Sequence, residues 1–142
     1  MPSNEPLGDL EREALDLLLA GDHPVLRLLR AQRRSLTVRG RVWTGSGFLA
    51  DLEVSPGVPR LSPLASFGLS DVNGEVAGVP CGFVLHVRDG LVDTLEAHTW
   101  VGEWPAEARP WRLHYVRPRD GRGPQLEPAD ERDVGSLRLP AA

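Results

Sequence analysis

Between residues 9 and 34, the apolar positions recur at helical spacing in two short runs. These positions are Leu10, Ala14, Leu17 and Leu18 in the first run, and Val25, Leu26, Leu28 and Leu29 in the second. We expect the first helix to be capped by Asp9 and to stop at Gly21. The second is capped by Asp22, carries Pro24 in its first turn and ends near Arg34. The pattern predicts a helical hairpin over residues 9–34, after a loose start over residues 1–8.

From Ser35 the period of the pattern changes from helical to two. Apolar and polar residues alternate over residues 36–43 and again over residues 50–54, which indicates two strands. The connection between them, TGSGF at residues 44–48, is rich in glycine like a phosphate-binding loop. Such a loop needs a helix at its end, whereas this one leads into a strand. It therefore predicts a hairpin turn.

One register of this first hairpin satisfies both its apolar and its charged positions. It has three cross-strand pairs: Val42 with Ala50, Arg41 with Asp51, and Arg39 with Glu53. The same alternation turns Trp43 toward the side of the arginines and away from the core.

A second hairpin is predicted over residues 81–104, with its turn at residues 88–90. A two-residue turn at Asp89 and Gly90 would bury Val92, whereas a three-residue loop with a bulge at Gly90 would bury Leu91 and Leu95. We favour the second register because it leaves only Asp93 out of place. The opposite face then carries four polar residues: His86, Thr94, Glu96 and His98.

The rest of the chain completes a sheet. Residues 55–66 hold three prolines and indicate a loop, followed by a strand from Phe67 to Val72, a turn at Asn73–Gly74 and a short strand to Val79. Residues 111–116 form a last strand. Residues 117–142 form an extended or partly docked tail, with a helical turn near 128–134 that docks Leu137. The prediction is a single α+β domain over residues 1–142. Its N-terminal helical hairpin packs on an antiparallel β-sheet of about five to seven strands, which occupies residues 35–116.

Composition narrows the classes of protein that this chain fits. The 142 residues have a formal net charge of −4, which gives no overall attraction to nucleic acid or to an anionic membrane. The four arginines of the second helix, Arg27, Arg30, Arg33 and Arg34, are read as a solvated face. Cys81 is the single cysteine, so no intrachain disulfide forms. No apolar run reaches the roughly 18 residues of a membrane span, and the N-terminus is acidic. We expect a cytoplasmic protein.

Four short segments of the chain resemble a known family. TGSGF at residues 44–48, GFVLHVRDG at residues 82–90, and the downstream LEAHT and EWP segments at residues 95–99 and 103–105 are similar to a family of uncharacterised bacterial proteins. The resemblance covers roughly residues 10–118. Ala97 and His98 stand where that family has glycine and an aromatic residue. The likeness implies a single-domain bacterial protein and brings no activity with it.

His86, Glu96 and His98 are the residues closest to a chemical constellation. Two imidazoles and a carboxylate suit a divalent metal or acid–base chemistry, although their spacing repeats no usual metal motif. Glu96 lies among apolar neighbours and should reach an arginine, a backbone amide or a ligand. A small metal-dependent enzyme or hydrolase built on these three residues is the alternative function.

The tryptophans support the preferred function. Trp43, Trp100 and Trp104 fall away from the predicted core, near Arg39 and Arg41, and such residue types are enriched at the centres of interfaces. The chain carries no nucleophile elbow, no HExxH and no glycine-rich nucleotide fingerprint. We therefore expect a non-catalytic binding or interaction module without a cofactor. It would contact a protein partner or a second copy of itself, and neither nucleic acid nor a membrane. The predicted contact residues are Trp43, Trp100, Trp104, Arg39, Arg41 and Glu96.

Overall fold

A computed structural model describes residues 4–121 and 123–141 of the chain. Two helices in these residues precede all the strands: α1 (Asp9–Leu18) and α2 (Pro24–Arg33). The described strands are β1 (Thr37–Trp43), β2 (Gly47–Glu53), β3 (Phe67–Val76), β4 (Val79–Arg88), β5 (Leu91–Thr99), β6 (Trp111–Pro118) and β7 (Leu126–Ala129). A short 3₁₀ helix, Val134–Ser136, follows them.

All the strands form one antiparallel sheet in the order β1-β2-β5-β4-β3-β6-β7. The two helices pack on one face of this sheet, and the core lies between the two layers around fully buried residues such as Leu15, Leu26, Phe83 and Leu95. The predicted α+β class is confirmed. Of the described helices, none is both long and apolar enough to cross a membrane.

Both helices begin differently from the prediction. In α1, Asp9 is the first helical residue rather than the cap, and Glu11 reaches back to accept a hydrogen bond from the Gly8 backbone N–H at 2.7 Å. In α2, the cap is His23, whose Nδ1 accepts from the Val25 N–H at 3.1 Å. An unprotonated imidazole nitrogen can accept this capping hydrogen bond in place of the carboxylate oxygen expected from Asp22.

The register predicted for β1 and β2 is wrong: the observed pairing differs from it by two residues up to Val38, which pairs with Leu52, and by one residue beyond. A β-bulge at Arg39 shifts the pairing, so that Arg41 lies opposite Ala50 and Trp43 lies opposite Phe48. An extra residue exchanges the two faces of a strand for all the residues that follow it. Arg41 and Trp43 therefore lie on the helix-covered face, and Val42, which was expected in the core, is 62% exposed.

In the hairpin of β4 and β5, the predicted register with a two-residue turn is correct next to the turn. The faces expected from the other predicted register are correct further along the strands. The turn has two residues, Asp89 and Gly90, both with positive φ as a type I′ turn requires. A bulge at Asp93 then shifts the pairing, so that Leu85 faces Leu95. Val92 and Leu95 are consequently both buried, while Leu91 is only half-buried.

The turn predicted at Asn73–Gly74 is wrong, because β3 runs on to Val76 and the chain reverses at Ala77 and Gly78. Gly74 has another role. A Cβ at this position would lie 2.3 Å from the Arg112 carbonyl oxygen, so the glycine permits the close approach of β6.

Gln32 ties α2 to the turn between β4 and β5. Its side chain is fully buried, accepts from the Val92 N–H at 2.9 Å, and donates to the carbonyls of Pro59 at 2.9 Å and Gly90 at 3.0 Å. These bonds satisfy three backbone groups that an apolar side chain would leave without a partner.

The C-terminal segment is tied into the fold by Arg132, whose side chain is only 4% exposed. Its guanidinium pairs with both carboxylate oxygens of Asp71, at 2.7 and 2.9 Å. It also donates to the carbonyls of Leu17 and Leu18, the last residues of α1, and of Ala20 just beyond the helix. A cation at these carbonyls satisfies acceptors that the helix itself cannot and complements the helix dipole.

The predicted tail is therefore partly regular and partly docked. Leu126–Ala129 pair with β6 as strand β7, so the helical turn expected over residues 128–134 comes later, at Val134–Ser136. Leu137 packs against the core, as expected.

Burial raises the pKa of the Cys81 thiol to about 11, and the charge of Glu75 adds to this effect. An unfolded thiol ionises near pH 8.5. The stability that this shift contributes is complete below that pH and is lost as the pH rises toward 11. We expect the free energy of unfolding to fall by about 1 kcal/mol between pH 8 and pH 9.5. Urea unfolding at the two pH values measures this change, and a Cys81→Ala variant should lack it. An equal fall in the variant would contradict the assignment to Cys81.

Candidate functional site

A cleft lined by aromatic rings opens where the start of α1 meets the β1–β2 end of the sheet. Trp43, Phe48, Trp104 and Trp111 line it, together with residues 8–11, and its volume is about 260 Å³. We call it the tryptophan cleft. A depression of about 440 Å³ adjoins it and shares Trp43 and Trp104.

Two of the tryptophan rings of the cleft pack edge to face against the Phe48 ring. The Phe48 ring centroid lies 5.4 Å from that of Trp43 and 5.5 Å from that of Trp104. The Trp104 backbone N–H donates to the Gly45 carbonyl at 2.9 Å, which fixes the loop after β5 against the turn between β1 and β2. Thr99 strengthens this link, because its hydroxyl lies within hydrogen-bond distance of the carbonyls of Ser46 and Gly102.

A buried ion pair forms the polar wall of the cleft. The Arg41 guanidinium bonds to both carboxylate oxygens of Glu11, at 2.7 and 2.9 Å, and to Glu5 at 2.7 Å. The Glu11 side chain is only 6% exposed. The hydrogen bonds to Glu11 raise the pKa of Arg41 above the ordinary arginine value, so the Arg41 side chain stays charged throughout the accessible pH range.

The rim of the cleft carries three further charges. The Arg109 guanidinium carbon lies 5.5 Å from the centre of the Trp111 ring, which is a cation–π distance. Asp9 contacts Arg12 through one carboxylate oxygen and Arg109 through the other. Glu107 also lines the cleft and is exposed to solvent.

The structure brings together three of the predicted contact residues, Trp43, Trp104 and Arg41. Arg39 lies outside the cleft, at the bulge, where it contacts Asp51 and Glu53. Trp100 lies on the other face of the sheet, next to the ring of His98. The three tryptophans thus do not form one surface, because the bulge at Arg39 moves Trp43 to the face that α1 covers.

Glu96 also lies on the face opposite the helices, between two histidines. His86 Nε2 lies 3.1 Å from one carboxylate oxygen of Glu96, and His98 Nδ1 lies 3.5 Å from the other. Glu96 therefore has imidazole neighbours, and among the described residues it contacts neither the arginine nor the backbone amide that were two of the partners expected from the sequence.

This trio is arranged as a chain of contacts through Glu96. Across residues 4–121 and 123–141, no group of three His, Cys, Asp or Glu side chains is placed to hold a metal ion. The metal site proposed for His86, Glu96 and His98 therefore gains no support from the described residues, since each histidine contacts a different oxygen of the carboxylate.

Sequence reasoning missed most residues of the cleft, among them Phe48, Trp111 and Glu11. Phe48 was assigned to a connection and Trp111 to the side of an ordinary strand, so their convergence depends on the sheet order. A signal for Glu11 was present, because a glutamate three residues after a helix-capping position commonly reaches back to the helix start.

Comparisons with protein-family models, with curated proteins and with solved structures find no match for this chain.

Proposed function

We propose that this protein is a non-catalytic binding module and that the tryptophan cleft is its binding site. One observation carries the proposal: three tryptophans and a phenylalanine surround a cleft of about 260 Å³ whose polar wall is a buried ion pair. Small-molecule sites are typically concave, mostly apolar, and supplied with a few fixed polar groups.

The walls of the cleft support binding without rearrangement. Phe48 and Glu11 are buried, and each is held by several partners, so the cleft is preformed. A preformed site loses little conformational entropy on binding. Trp43, in contrast, is 63% exposed and offers a large apolar surface that a ligand would remove from water.

The cytoplasmic location, the lack of a cofactor and the lack of nucleic-acid or membrane partners, all expected from the sequence, belong to this proposal. A protein partner or a second copy of the chain would use the same aromatic surface. A cleft of this volume can hold one side chain or one small molecule, so we propose a small ligand ahead of a protein partner.

NMR of the indole N–H groups tests the proposal. We expect small aromatic and apolar compounds to shift the signals of Trp43 and Trp104 while leaving Trp100 unchanged. Trp43→Ala should weaken this binding by about thirtyfold, because losing a tryptophan at the centre of a contact costs about 2 kcal/mol.

Trp100→Ala is the matched control, because Trp100 is 57% exposed, close to the value for Trp43, and lies on the other face. Thermal unfolding of both variants shows whether either loss reflects misfolding. Shifts confined to Trp100, or equal weakening in the two variants, would refute the cleft as the site.

A further inference from the structure

We infer that the ligand of the tryptophan cleft is a small molecule that carries a quaternary ammonium group. This inference rests on the binding function proposed above and adds the chemistry of the ligand. Three features of the cleft lead to it: its aromatic walls, its balance of charge and the arginine partners that most of its carboxylates already have.

The aromatic walls favour a cation. The face of an indole ring is negative, and tryptophan attracts cations more strongly than tyrosine or phenylalanine does. Three of the four rings that line the cleft are tryptophans. The protein already uses one of them in this way, since the Arg109 guanidinium carbon lies 5.5 Å from the centre of the Trp111 ring.

The charge of the lining also favours a cation. Three carboxylates, those of Asp9, Glu11 and Glu107, line the cleft, against the two guanidinium groups of Arg41 and Arg109. From outside this set, Glu5 binds Arg41 and Arg12 binds Asp9, so these two outside charges leave the balance unchanged. In the described part of the chain, the Glu107 side chain makes no ion pair, and it stands exposed at the rim. Its charge is available to an incoming ligand.

Two of the three carboxylates of the cleft, those of Glu11 and Asp9, already have arginine partners, which separates a quaternary ammonium from other cations. Both carboxylate oxygens of Glu11 bond to Arg41, and one of them also accepts from the Gly8 N–H. Both oxygens of Asp9 face arginines. An ammonium or guanidinium group would lose hydrogen bonds to water and find few new acceptors here. A quaternary ammonium has no N–H to satisfy.

The size of the cleft fits a compact group. Its volume of about 260 Å³ lies just below the roughly 300–1,000 Å³ typical of small-molecule sites. The adjoining depression, about 440 Å³ and bordered by the same Trp43 and Trp104, can receive the rest of a small ligand. We therefore assign the group to a free small molecule and not to a methylated lysine of a protein partner.

Titration with choline, followed by the indole N–H signals, tests the inference. The matched probe is 3,3-dimethyl-1-butanol, which has the same shape with carbon in place of the charged nitrogen. We expect choline to shift the Trp43 and Trp104 signals in a saturable way and to bind roughly three- to thirtyfold more tightly than the alcohol. Sodium chloride at equal concentration controls for ionic strength.

Variants at Trp43 and Glu107 separate the cation–π contribution from the charge contribution, and a variant at Trp100 is the control. Trp43→Leu should abolish most of the preference for choline over the alcohol, whereas Trp43→Phe should keep part of it. Glu107→Gln should weaken choline about two- to threefold and leave the alcohol unchanged, since a single exposed charge has a modest effect. Trp100→Leu should change neither probe.

The failures of the two proposals can be told apart. If the alcohol binds the cleft as tightly as choline, the inference of a quaternary ammonium ligand is wrong, but the proposal that the cleft is the binding site is retained. If neither these probes nor any compound of the apolar screen shifts Trp43 and Trp104 at up to about 100 mM, well above a millimolar Kd, both proposals fail. A peptide with trimethyllysine that binds where choline does not would overturn the assignment to a small molecule.

Discussion

Replacing Arg132 with methionine should lower the free energy of unfolding by about 3–5 kcal/mol, the cost of leaving one partner of a buried ion pair alone. The Arg132 side chain is 4% exposed and that of Asp71 is 13% exposed. The variant would leave the Asp71 carboxylate without its cationic partner. It would also remove the guanidinium that donates to the carbonyls of Leu17, Leu18 and Ala20. Urea unfolding followed by tryptophan fluorescence measures the loss.

Arg117→Met is the matched control for Arg132→Met. Arg117 pairs with Glu127 in the same C-terminal region, but its side chain is 50% exposed, so we expect a loss below about 1 kcal/mol. The double variant Asp71→Leu, Arg132→Met should recover part of the stability, because it removes the stranded charge. If Arg132→Met costs no more than Arg117→Met, the C-terminal segment does not hold α1 in solution.

Arg41→Met should cost about 2–4 kcal/mol, because it leaves the Glu11 carboxylate buried without its main partner. The value is below that for Arg132 because Arg41 is 22% exposed and water can enter beside it. A double-mutant cycle with Glu11→Gln isolates the interaction between the two side chains. The Trp43 indole signal should move in Arg41→Met, since both residues line the tryptophan cleft.

Arg39→Met provides the comparison on the same strand. Arg39 is 52% exposed and contacts two carboxylates that are also about half exposed, so its loss should cost less than about 1 kcal/mol. Equal losses for Arg39 and Arg41 would contradict the bulge, because the predicted register without a bulge gives the two arginines the same surroundings.

The sequence predicted the architecture better than it predicted the faces of the strands. The change of period at Ser35 placed the boundary between helices and sheet correctly, because periodicity depends only on near neighbours. The faces depend on bulges, at Arg39 in β1 and at Asp93 in β5. Asp93 was the single misfit in the preferred register, and it marks the bulge. No misfit marked Arg39, since the regular register paired every charge.

The candidate site was predictable only in part. Trp43, Trp104 and Arg41 were chosen for their residue types, and the structure groups them. Trp111 comes from the far side of β3 in the sheet order, and Glu11 comes from α1, so no local pattern connects them to Trp43. Their meeting depends on strand order, and strand order is the property that a single sequence specifies least directly.

The contacts of Arg132 also affect the order in which the fold can be completed during synthesis. α1 is made before all the described strands, yet the carbonyls of Leu17 and Leu18, and of Ala20 just beyond the helix, bond to a residue made more than a hundred positions later. Two side chains made earlier also reach this end of the helix: Arg30 bonds to the carbonyls of Leu19 and Gly21, and the Tyr115 hydroxyl donates to the Leu17 carbonyl at 2.6 Å. Contacts so distant along the chain slow folding. The nascent protein can therefore assemble its two layers before residue 132 is made, but the contacts of Arg132 with this end of α1 can form only after that residue has left the ribosome.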